Sequence, residues 1–189
     1  MFNGIIFNTG KVKSLVKSKK SIFIKIQTKL PVRKKDIGSS ISCNGVCLTV
    51  VKIIKNYLFF YISEETLRKS NLKFLKVNEL INLERSITFG QKISGHFIQG
   101  HVDTTAKIRK INLTDKSWIL RLELEDKKLK KFLVEKASIS INGVSLTISK
   151  VTNDYFEIYV RHSQGASQNT DSNDDYTRFE GFRLTGMES

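Results

Sequence analysis

The sequence predicts an all-β protein made of two similar antiparallel β-barrels in tandem. The main observation is a repeat: residues 40–52 (SISCNGVCLTVVK) and residues 138–150 (SISINGVSLTISK) are identical at nine of thirteen positions. A weaker pair occurs in the same order, because residues 4–12 (GIIFNTGKV) align with residues 100–108 (GHVDTTAKI). Two matched segments in one order indicate a duplicated domain, whereas solenoids and propellers need more copies.

Short strands and tight turns predict the barrel architecture of each half. Apolar and polar residues alternate, with many β-branched residues, in residues 21–27, 58–62, 118–124 and 155–159. Each copy of the long repeat contains an Asn-Gly pair between alternating residues, the strongest short-range hairpin signal. Helical patterns are limited to residues 64–71, with Ser63 as the N-cap, and to residues 125–131. Several short strands at close intervals favour a small closed barrel in each half.

The domain boundaries follow from the repeat. We expect an N-terminal barrel over residues 1–94 and a second barrel over residues 95–160, with the joint near residues 85–94. Residues 161–189 are atypical, because they contain neither Lys nor Ile in a chain otherwise rich in both. Their Ser, Asn, Asp, Gln and Gly content predicts a disordered tail.

Composition limits the classes of function. The formal net charge of +14 raises the question of nucleic-acid binding. The lysines are scattered, however, and the runs within residues 17–20 and 127–131 have no interleaved aromatic platform, so a solvated face is the preferred interpretation. Cys43 and Cys47 lack the further Cys or His that a zinc site needs. No signal-like N-terminus and no apolar run of membrane length is evident, so we expect a cytoplasmic protein without a membrane partner.

Small polar side chains occur at one place in both copies of the long repeat. Side chains alternate along a strand, so Cys47 and Thr49 face away from the apolar residues expected to form the core. The same rule groups Ser145 with Thr147 in the second copy. An ordinary solvent face and a ligand-binding face are both compatible with such a pair, and the duplication gives the two interpretations about equal weight.

Two histidines lie in residues 95–103 (GHFIQGHVD). On a strand, His96 and His101 face opposite ways, which argues against a shared metal ion. His101 and Asp103 share a face and could form a proton-handling pair, although a structural histidine fits the composition equally well. The flanking glycines suggest a backbone that another molecule can approach closely.

Together, residues 1–6 (MFNGII), the two Asn-Gly-Val copies, residues 63–67 (SEETL) and residues 95–103 resemble the riboflavin synthase alpha-chain family. The resemblance extends to about residue 160 in order and spacing. It implies two six-stranded barrels that each bind one 6,7-dimethyl-8-ribityllumazine, and a C-terminal helix that assembles a homotrimer. An active site would form between the N-terminal barrel of one chain and the C-terminal barrel of its neighbour. One lumazine would donate a four-carbon unit to the other, giving riboflavin and a ribitylamino-pyrimidinedione without any cofactor.

The resemblance also implies site residues, position by position. The first pocket would comprise Gly4, Ile5, Ile6, Cys47, Leu48, Thr49, Tyr61, Ile62, Ser63, Glu64, Glu65 and Thr66. The second pocket would comprise Gly100, His101, Val102, Ser145, Leu146, Thr147, Tyr159 and Val160, while Lys136 would reach the ligand of the first. His101 and Ser145 are assigned to proton transfer and nucleophile activation, with Cys47 as a further catalytic candidate. Much of the catalysis would consist of holding two reactive rings face to face.

The chain departs from the family pattern after Val160. Residues 161–164 (RHSQ) stand where an Ile-Pro-x-Thr segment is expected, and neither a last strand for the second barrel nor a trimer helix is recognisable after them. We therefore expect an unclosed second barrel with an exposed edge strand, and a weakened or lost trimer. The alternative function is a catalytically silent lumazine- or flavin-binding protein of the same fold, and a nucleic-acid-binding barrel is a more distant one.

Overall fold

The computed structural model describes residues 1–114, 117–161, 178–179 and 182–183, which form an all-β protein. The first half contains β1 (Asn8–Ser18), β2 (Ser21–Thr28), β3 (Ser40–Cys43), β4 (Val46–Ile54), β5 (Tyr57–Ser63), helix α1 (Glu64–Lys69) and β6 (Leu80–Arg85). The second contains β7 (Ala106–Thr114), β8 (Ser117–Leu124), β9 (Ser138–Ile141), β10 (Val144–Val151) and β11 (Phe156–Arg161). Short 3-10 helices span Lys34–Asp36, Asn71–Phe74 and Lys127–Phe132, and β12 (Arg178–Phe179) pairs with β13 (Phe182–Arg183).

The first half is a closed antiparallel barrel in the order β1-β2-β5-β4-β3-β6. Closure depends on β6, which pairs with β1 on one side and with β3 on the other. The apolar residues of the predicted alternating pattern fill the barrel, since Val46, Leu48 and Val50 are all buried in its core. Closing the sheet in this way leaves the first half without a free strand edge.

The second half repeats this order but remains open. Its sheet runs β7-β8-β11-β10-β9, which matches β1-β2-β5-β4-β3, and among the described residues no strand takes the place of β6. The bulges repeat as well: β1 and β7 shift register around Lys13 and Arg109, which are equivalent positions. The predicted all-β fold, with a complete first barrel and an incomplete second one, is therefore confirmed.

The local predictions hold where local chemistry decides the structure. The Asn-Gly pairs form the hairpins β3-β4 and β9-β10, with positive φ at both residues of each pair, as the hairpin signal requires. Ser63 caps α1, because its side-chain oxygen accepts from the Thr66 amide at 3.2 Å. The prediction of one helix over residues 64–71 was too long, since α1 ends at Lys69 and a 3-10 turn follows from Asn71.

The two halves contact each other through residues that are equivalent in the repeat. Phe2 and Ile98 form an antiparallel bridge, with amide-to-carbonyl distances of 2.7 and 3.0 Å. The two repeat hairpins meet at their glycines, because a Cβ atom on Gly45 would lie 2.7 Å from the Gly143 nitrogen. This approach brings the two repeat strands, β4 and β10, to one interface.

The disordered tail predicted for residues 161–189 falls mostly outside the described residues, apart from Arg161 and the β12-β13 pair. No helix in the described ranges is long and apolar enough to cross a membrane. Both cysteines are free thiols, with Cys43 buried and Cys47 half-buried.

Candidate functional site

The segment before the first strand of each half crosses to the other half. We call these the leading segments: residues 2–6 contact β10, and residues 98–102 contact β4. The Ser145 amide donates to the Gly4 carbonyl at 2.8 Å, and the Cys47 amide donates to the Gly100 carbonyl at 2.8 Å. The repeat aligns Gly4 with Gly100 and Cys47 with Ser145, so these two hydrogen bonds are equivalent. The interface thus contains two matched places at which a glycine backbone meets a small polar side chain.

This crossing changes the grouping of the predicted pocket residues. The sequence interpretation put Gly4 with Cys47 and Gly100 with Ser145, whereas the structure brings Gly4 to Ser145 and Gly100 to Cys47. Gly4 adjoins Ser145 because the Phe2–Ile98 bridge carries each leading segment across the interface. A Cβ on Gly4 would lie 2.7 Å from the Ser145 Cβ, and one on Gly100 would lie 2.7 Å from the Cys47 Cβ.

Ser145 has a histidine partner that the sequence interpretation had not assigned to it. The His96 Nδ1 lies 2.7 Å from the Ser145 Oγ, at hydrogen-bond distance. Partial burial lowers the pKa of His96 through desolvation, which keeps the imidazole neutral near physiological pH. With its ring proton on Nε2, the imidazole accepts from the Ser145 hydroxyl, an arrangement that increases the nucleophilicity of Oγ.

Asn3 fixes the position of His96. Its side-chain Oδ1 accepts from the amides of Ser94 and Gly95 at 3.0 and 2.9 Å, and its carbonyl accepts from the His96 amide at 3.2 Å. Gly95 carries no side chain at the point where a Cβ would collide with the Asn3 carbonyl and lie 2.9 Å from the Ser145 Cβ. The buried Asn3 therefore holds the turn that presents His96 to Ser145.

Glu84 holds the segment that contains Asn3. One of its carboxylate oxygens accepts from the Asn3 amide at 2.7 Å, and the other accepts from the Gly4 amide at 3.0 Å. Desolvation raises the pKa of this buried carboxyl, and the hydrogen bonds from Asn3, Gly4 and Ile5 oppose that rise. Glu84 lies on β6, so the strand that closes the first barrel also anchors the N-terminal segment.

The remaining predicted residues differ in how they can take part. Leu48, Ile62 and Val160 are buried in the two cores, so they can offer a ligand only main-chain atoms. Ile5, Ile6, Val102, Leu146, Ser63 and Thr66 are half-buried, and Ser63 and Thr66 share a side-chain hydrogen bond of 3.0 Å. Exposed positions are Thr49, Tyr61, Glu64, Glu65, His101, Lys136, Thr147 and Tyr159.

The predicted pairing of His101 with Asp103 is not present. Both side chains are exposed, and in the described part of the chain neither donates to or accepts from the other. Ser145 contacts His96 instead, five residues earlier. The described residues also contain no group of three or more His, Cys, Asp or Glu side chains placed to hold a metal ion.

Comparison with known proteins places this geometry in a family. The lumazine binding domain family matches residues 3–86 and again residues 99–173. Riboflavin synthase of Escherichia coli (strain K12) is 36% identical over 163 residues, which cover 85% of this chain and 76% of the relative. The enzyme of Bacillus subtilis (strain 168) is 38% identical over 155 residues, covering 82% and 71%. The chain belongs to the riboflavin synthase family.

Solved structures agree with the fold. LumP complexed with riboflavin superimposes with a TM-score of 0.74 at 23% identity, covering 85% of this chain and 87% of LumP. LumP complexed with 6,7-dimethyl-8-(1'-D-ribityl) lumazine gives a TM-score of 0.69 at 24% identity, covering 86% of each chain. The same fold therefore occurs in solved structures that contain bound ligands.

Three features of the site were missed from the sequence. These are the roles of Asn3 and Glu84, and the contact of His96 with Ser145. Asn3 belongs to the MFNGII segment, and Glu84 directly follows three buried residues of β6, so both could have been recognised. A buried acid in a strand needs hydrogen-bond donors nearby, and that rule could have identified Glu84. Nothing in the spacing of His96 and Ser145 could have paired them.

Proposed function

We propose that this protein is a riboflavin synthase that converts two molecules of 6,7-dimethyl-8-ribityllumazine into riboflavin and 5-amino-6-(D-ribitylamino)uracil. The observation that carries the proposal is the pair of equivalent contacts, Gly4 with Ser145 and Gly100 with Cys47. A reaction between two identical substrates needs two similar binding places, and a duplicated barrel provides them. Membership of the riboflavin synthase family supports the same activity.

The crossing also suggests which residues bind each lumazine. One ligand would contact Gly4, Ile5 and Ile6 together with Ser145, Leu146, Thr147, Tyr159 and Val160. The other would contact Gly100, His101 and Val102 together with Cys47, Leu48, Thr49, Lys136 and the segment Tyr61 to Thr66. Main-chain groups and threonine hydroxyls would fix the polar edges of each ring, while apolar side chains would cover its faces.

His96 and Ser145 are the residues that we assign to proton transfer. The C7 methyl of the lumazine is acidic, and the ring accepts nucleophiles. A neutral His96 can take up a proton directly or through the Ser145 hydroxyl, and the imidazolium can return it to a later intermediate. Ser145 Oγ, activated by the same hydrogen bond, can add to the electrophilic ring. Cys47 occupies the equivalent position in the other half and would contact the second ring.

Turnover of purified protein tests this proposal. Incubation with 6,7-dimethyl-8-ribityllumazine should produce riboflavin, followed by its absorbance, at half the rate at which lumazine disappears. Ser145→Ala should lower kcat by about 10²-fold or more, the usual range for one general acid–base or nucleophile-activating group. Ser138→Ala, which changes an exposed serine in the same repeat, is the matched control and should leave kcat unchanged. An active Ser145→Ala variant would remove Ser145 from the mechanism.

His101 is tested separately, because its exposed side chain is able to approach a ligand. His101→Ala should reduce turnover if the exposed imidazole moves protons at the second ring. If the variant binds lumazine normally and turns over at the unchanged rate, His101 is not catalytic.

The second candidate function is a lumazine- or flavin-binding protein without activity. The open second sheet favours it, because a site that needs two complete barrels would lose one wall. In this case lumazine would bind, with a change in its fluorescence, and no riboflavin would form on prolonged incubation. The product assay above therefore distinguishes the two functions on the same sample.

The proposal also covers the oligomeric state of the protein, its location and its partners. We expect a trimer that is weak or absent, a cytoplasmic protein and no nucleic-acid partner, since the basic residues are scattered over the chain. Multi-angle light scattering should give the mass of one chain at micromolar concentration. A stable trimer would contradict this expectation.

A further inference from the structure

The open side of the second sheet is a cleft whose walls are hydrophobic core residues. We call it the edge cleft: it has a volume of about 1220 Å³, and its apolar walls include Ile108, Leu120, Ile139, Ile141, Ile148 and Phe156. In the part of the chain that the structure describes, β7 and β9 each pair with only one neighbouring strand. Apolar walls between two unpaired strand edges are the features that bind an extended peptide by β-augmentation.

The first barrel shows what occupies the equivalent space. Val12, Ile41 and Cys43 are 0%, 1% and 0% exposed, whereas their repeat counterparts Ile108, Ile139 and Ile141 are only half-buried. In the first barrel the difference is due to β6, which pairs with β1 and β3 and contributes Ile81 and Leu83 to the core. The second sheet has kept apolar residues facing a strand that the described chain does not supply.

A buried backbone donor points to the same missing group. In the first half, the carboxylate of Glu84 on β6 accepts from the amide of Gly4. Gly100 is the counterpart of Gly4, is buried, and has the same positive φ, 81° against 77°. Among the described residues the Gly100 amide donates no hydrogen bond. Buried amides are nearly always paired, so this one indicates an acceptor that arrives with a ligand.

We propose that the edge cleft binds a peptide strand supplied by another polypeptide, with the pattern apolar-x-apolar-Glu that β6 shows at Ile81 to Glu84. The two apolar side chains would fill the space between Ile108 and Ile139. The backbone would pair with the edges of β7 and β9, and the glutamate would accept from the Gly100 amide. The proposal concerns the open sheet alone and does not depend on catalysis.

A peptide with the sequence of residues 77–86 (VNELINLERS) is the probe, added to the full chain. Isothermal titration calorimetry should show saturable binding of one peptide per chain. The peptide with Glu84→Gln should bind at least about tenfold more weakly, because a charge-assisted hydrogen bond to a buried amide is lost. Hydrogen exchange should slow on binding at residues 104–107 and 139–141, the positions equivalent to those that pair with β6 in the first barrel.

Protein variants locate the binding site. Ile139→Lys puts a charge into the edge cleft at a half-buried position and should weaken binding at least about tenfold. Leu113→Lys is the matched control: it makes the same kind of change at an exposed position of β7 and should leave binding unchanged. The proposal is overturned if no saturable binding occurs, if a scrambled peptide binds equally well, or if the protected amides lie in β1 and β3.

Discussion

His96 owes its chemical character to its surroundings. Desolvation lowers its pKa below the ordinary value of 6.5, and the Ser145 hydroxyl lies 2.7 Å from its Nδ1. The folded protein therefore keeps the ring neutral at a pH where the unfolded chain begins to protonate it. Acidification below about pH 6.5 thus favours unfolding through this residue, because the unfolded state then binds more protons.

The same lowered pKa predicts the pH profile of the reaction. A base that must be neutral loses activity only as the pH falls through its own pKa, so the acidic limb of kcat/KM should lie below pH 6.5. His96→Gln should remove this limb and lower kcat by about 10² to 10⁴-fold, the range for loss of a general base. Initial rates from pH 4.5 to 8 check both. An acidic limb that persists unchanged in the variant would assign it to another group.

Glu84 is a residue whose effect on the site is indirect. In the described structure it makes no hydrogen bond to Ser145 or His96, yet it accepts from the amides of Asn3 and Gly4, and Asn3 holds the turn before His96. Burial raises the pKa of the carboxyl, so it ionises in the folded state at a higher pH than in the unfolded chain. Its ionisation consequently lowers stability as the pH rises from about 4.5 through the folded-state pKa.

Glu84→Gln tests the anchoring of the N-terminal segment. Glutamine has only one acceptor oxygen, so its NH2 group would face either the Asn3 or the Gly4 amide and leave that buried donor unpaired. Glu84→Gln should therefore lower the unfolding free energy by about 1 to 3 kcal/mol near pH 7. Urea unfolding measures the change. Glu65→Gln, at an exposed helix position with only an i,i+4 ion pair, is the control and should change stability by less than about 0.5 kcal/mol. Equal effects of the two substitutions would rule out the anchoring role.

At the scale of elements, the crossing of the leading segments depends on Gly4 and Gly100, whose carbonyls accept from the repeat strand of the other half. Gly90 lies outside this contact and provides a comparison for Gly4. Gly4 and Gly90 both have positive φ, 77° and 80°, so replacing either by alanine costs similar backbone strain, about 1 kcal/mol. Only at Gly4 is there also a steric conflict, since the new Cβ would lie 2.7 Å from the Ser145 Cβ, whereas Gly90 has no atom within 4 Å.

The pair Gly4→Ala and Gly90→Ala therefore separates strain from contact. Gly4→Ala should raise the Kd for lumazine and lower kcat by at least about tenfold, because a shift of about 1 Å in a positioning segment costs that much or more. Gly90→Ala should lose a similar amount of backbone stability without a change in kcat. Lumazine fluorescence titration and steady-state rates provide the comparison. Similar kinetics for both variants would show that the close approach of Gly4 to Ser145 is not needed.

Sequence reasoning predicted the elements that local chemistry determines. The Asn-Gly hairpins and the Ser63 cap depend on a few neighbouring residues, and the open second sheet followed from the change in composition after Val160. The helix expected over residues 125–131 is instead a 3-10 helix over Lys127–Phe132. The Leu129 amide donates to the Asp126 carbonyl at 3.2 Å and the Leu133 amide to the Lys130 carbonyl at 2.9 Å, which is the three-residue spacing of a 3-10 helix.

The arrangement of the site could not be predicted in the same way. The exchange of leading segments rests on the pairing of Phe2 with Ile98, which are far apart in the chain, and neither carries a polar signal. The contact of His96 with Ser145 is a consequence of that pairing. A repeat identifies which residues are equivalent, but it does not say whether equivalent residues meet within one half or across the interface.

At the scale of the whole molecule, two halves with one pattern differ in closure. Ile41 on β3 and Ile139 on β9 are equivalent residues of the long repeat, and both point toward a barrel interior. Ile41 is 1% exposed, while Ile139 is half-buried beside the open edge. Comparing Ile41 with Ile139 therefore measures how much closure of the barrel contributes to the stability of the protein.

Replacing each isoleucine by alanine turns this comparison into a measurement. Ile41→Ala should cost about 2 to 5 kcal/mol of unfolding free energy, because it removes buried methyl groups and leaves a cavity. Ile139→Ala should cost less than about 1 kcal/mol, since water already reaches one side of the residue and no closed cavity forms. Denaturant unfolding of both variants, with a constant m-value, gives the two numbers. If Ile139→Ala proved as costly as Ile41→Ala, the second sheet would have to be closed in solution by another strand.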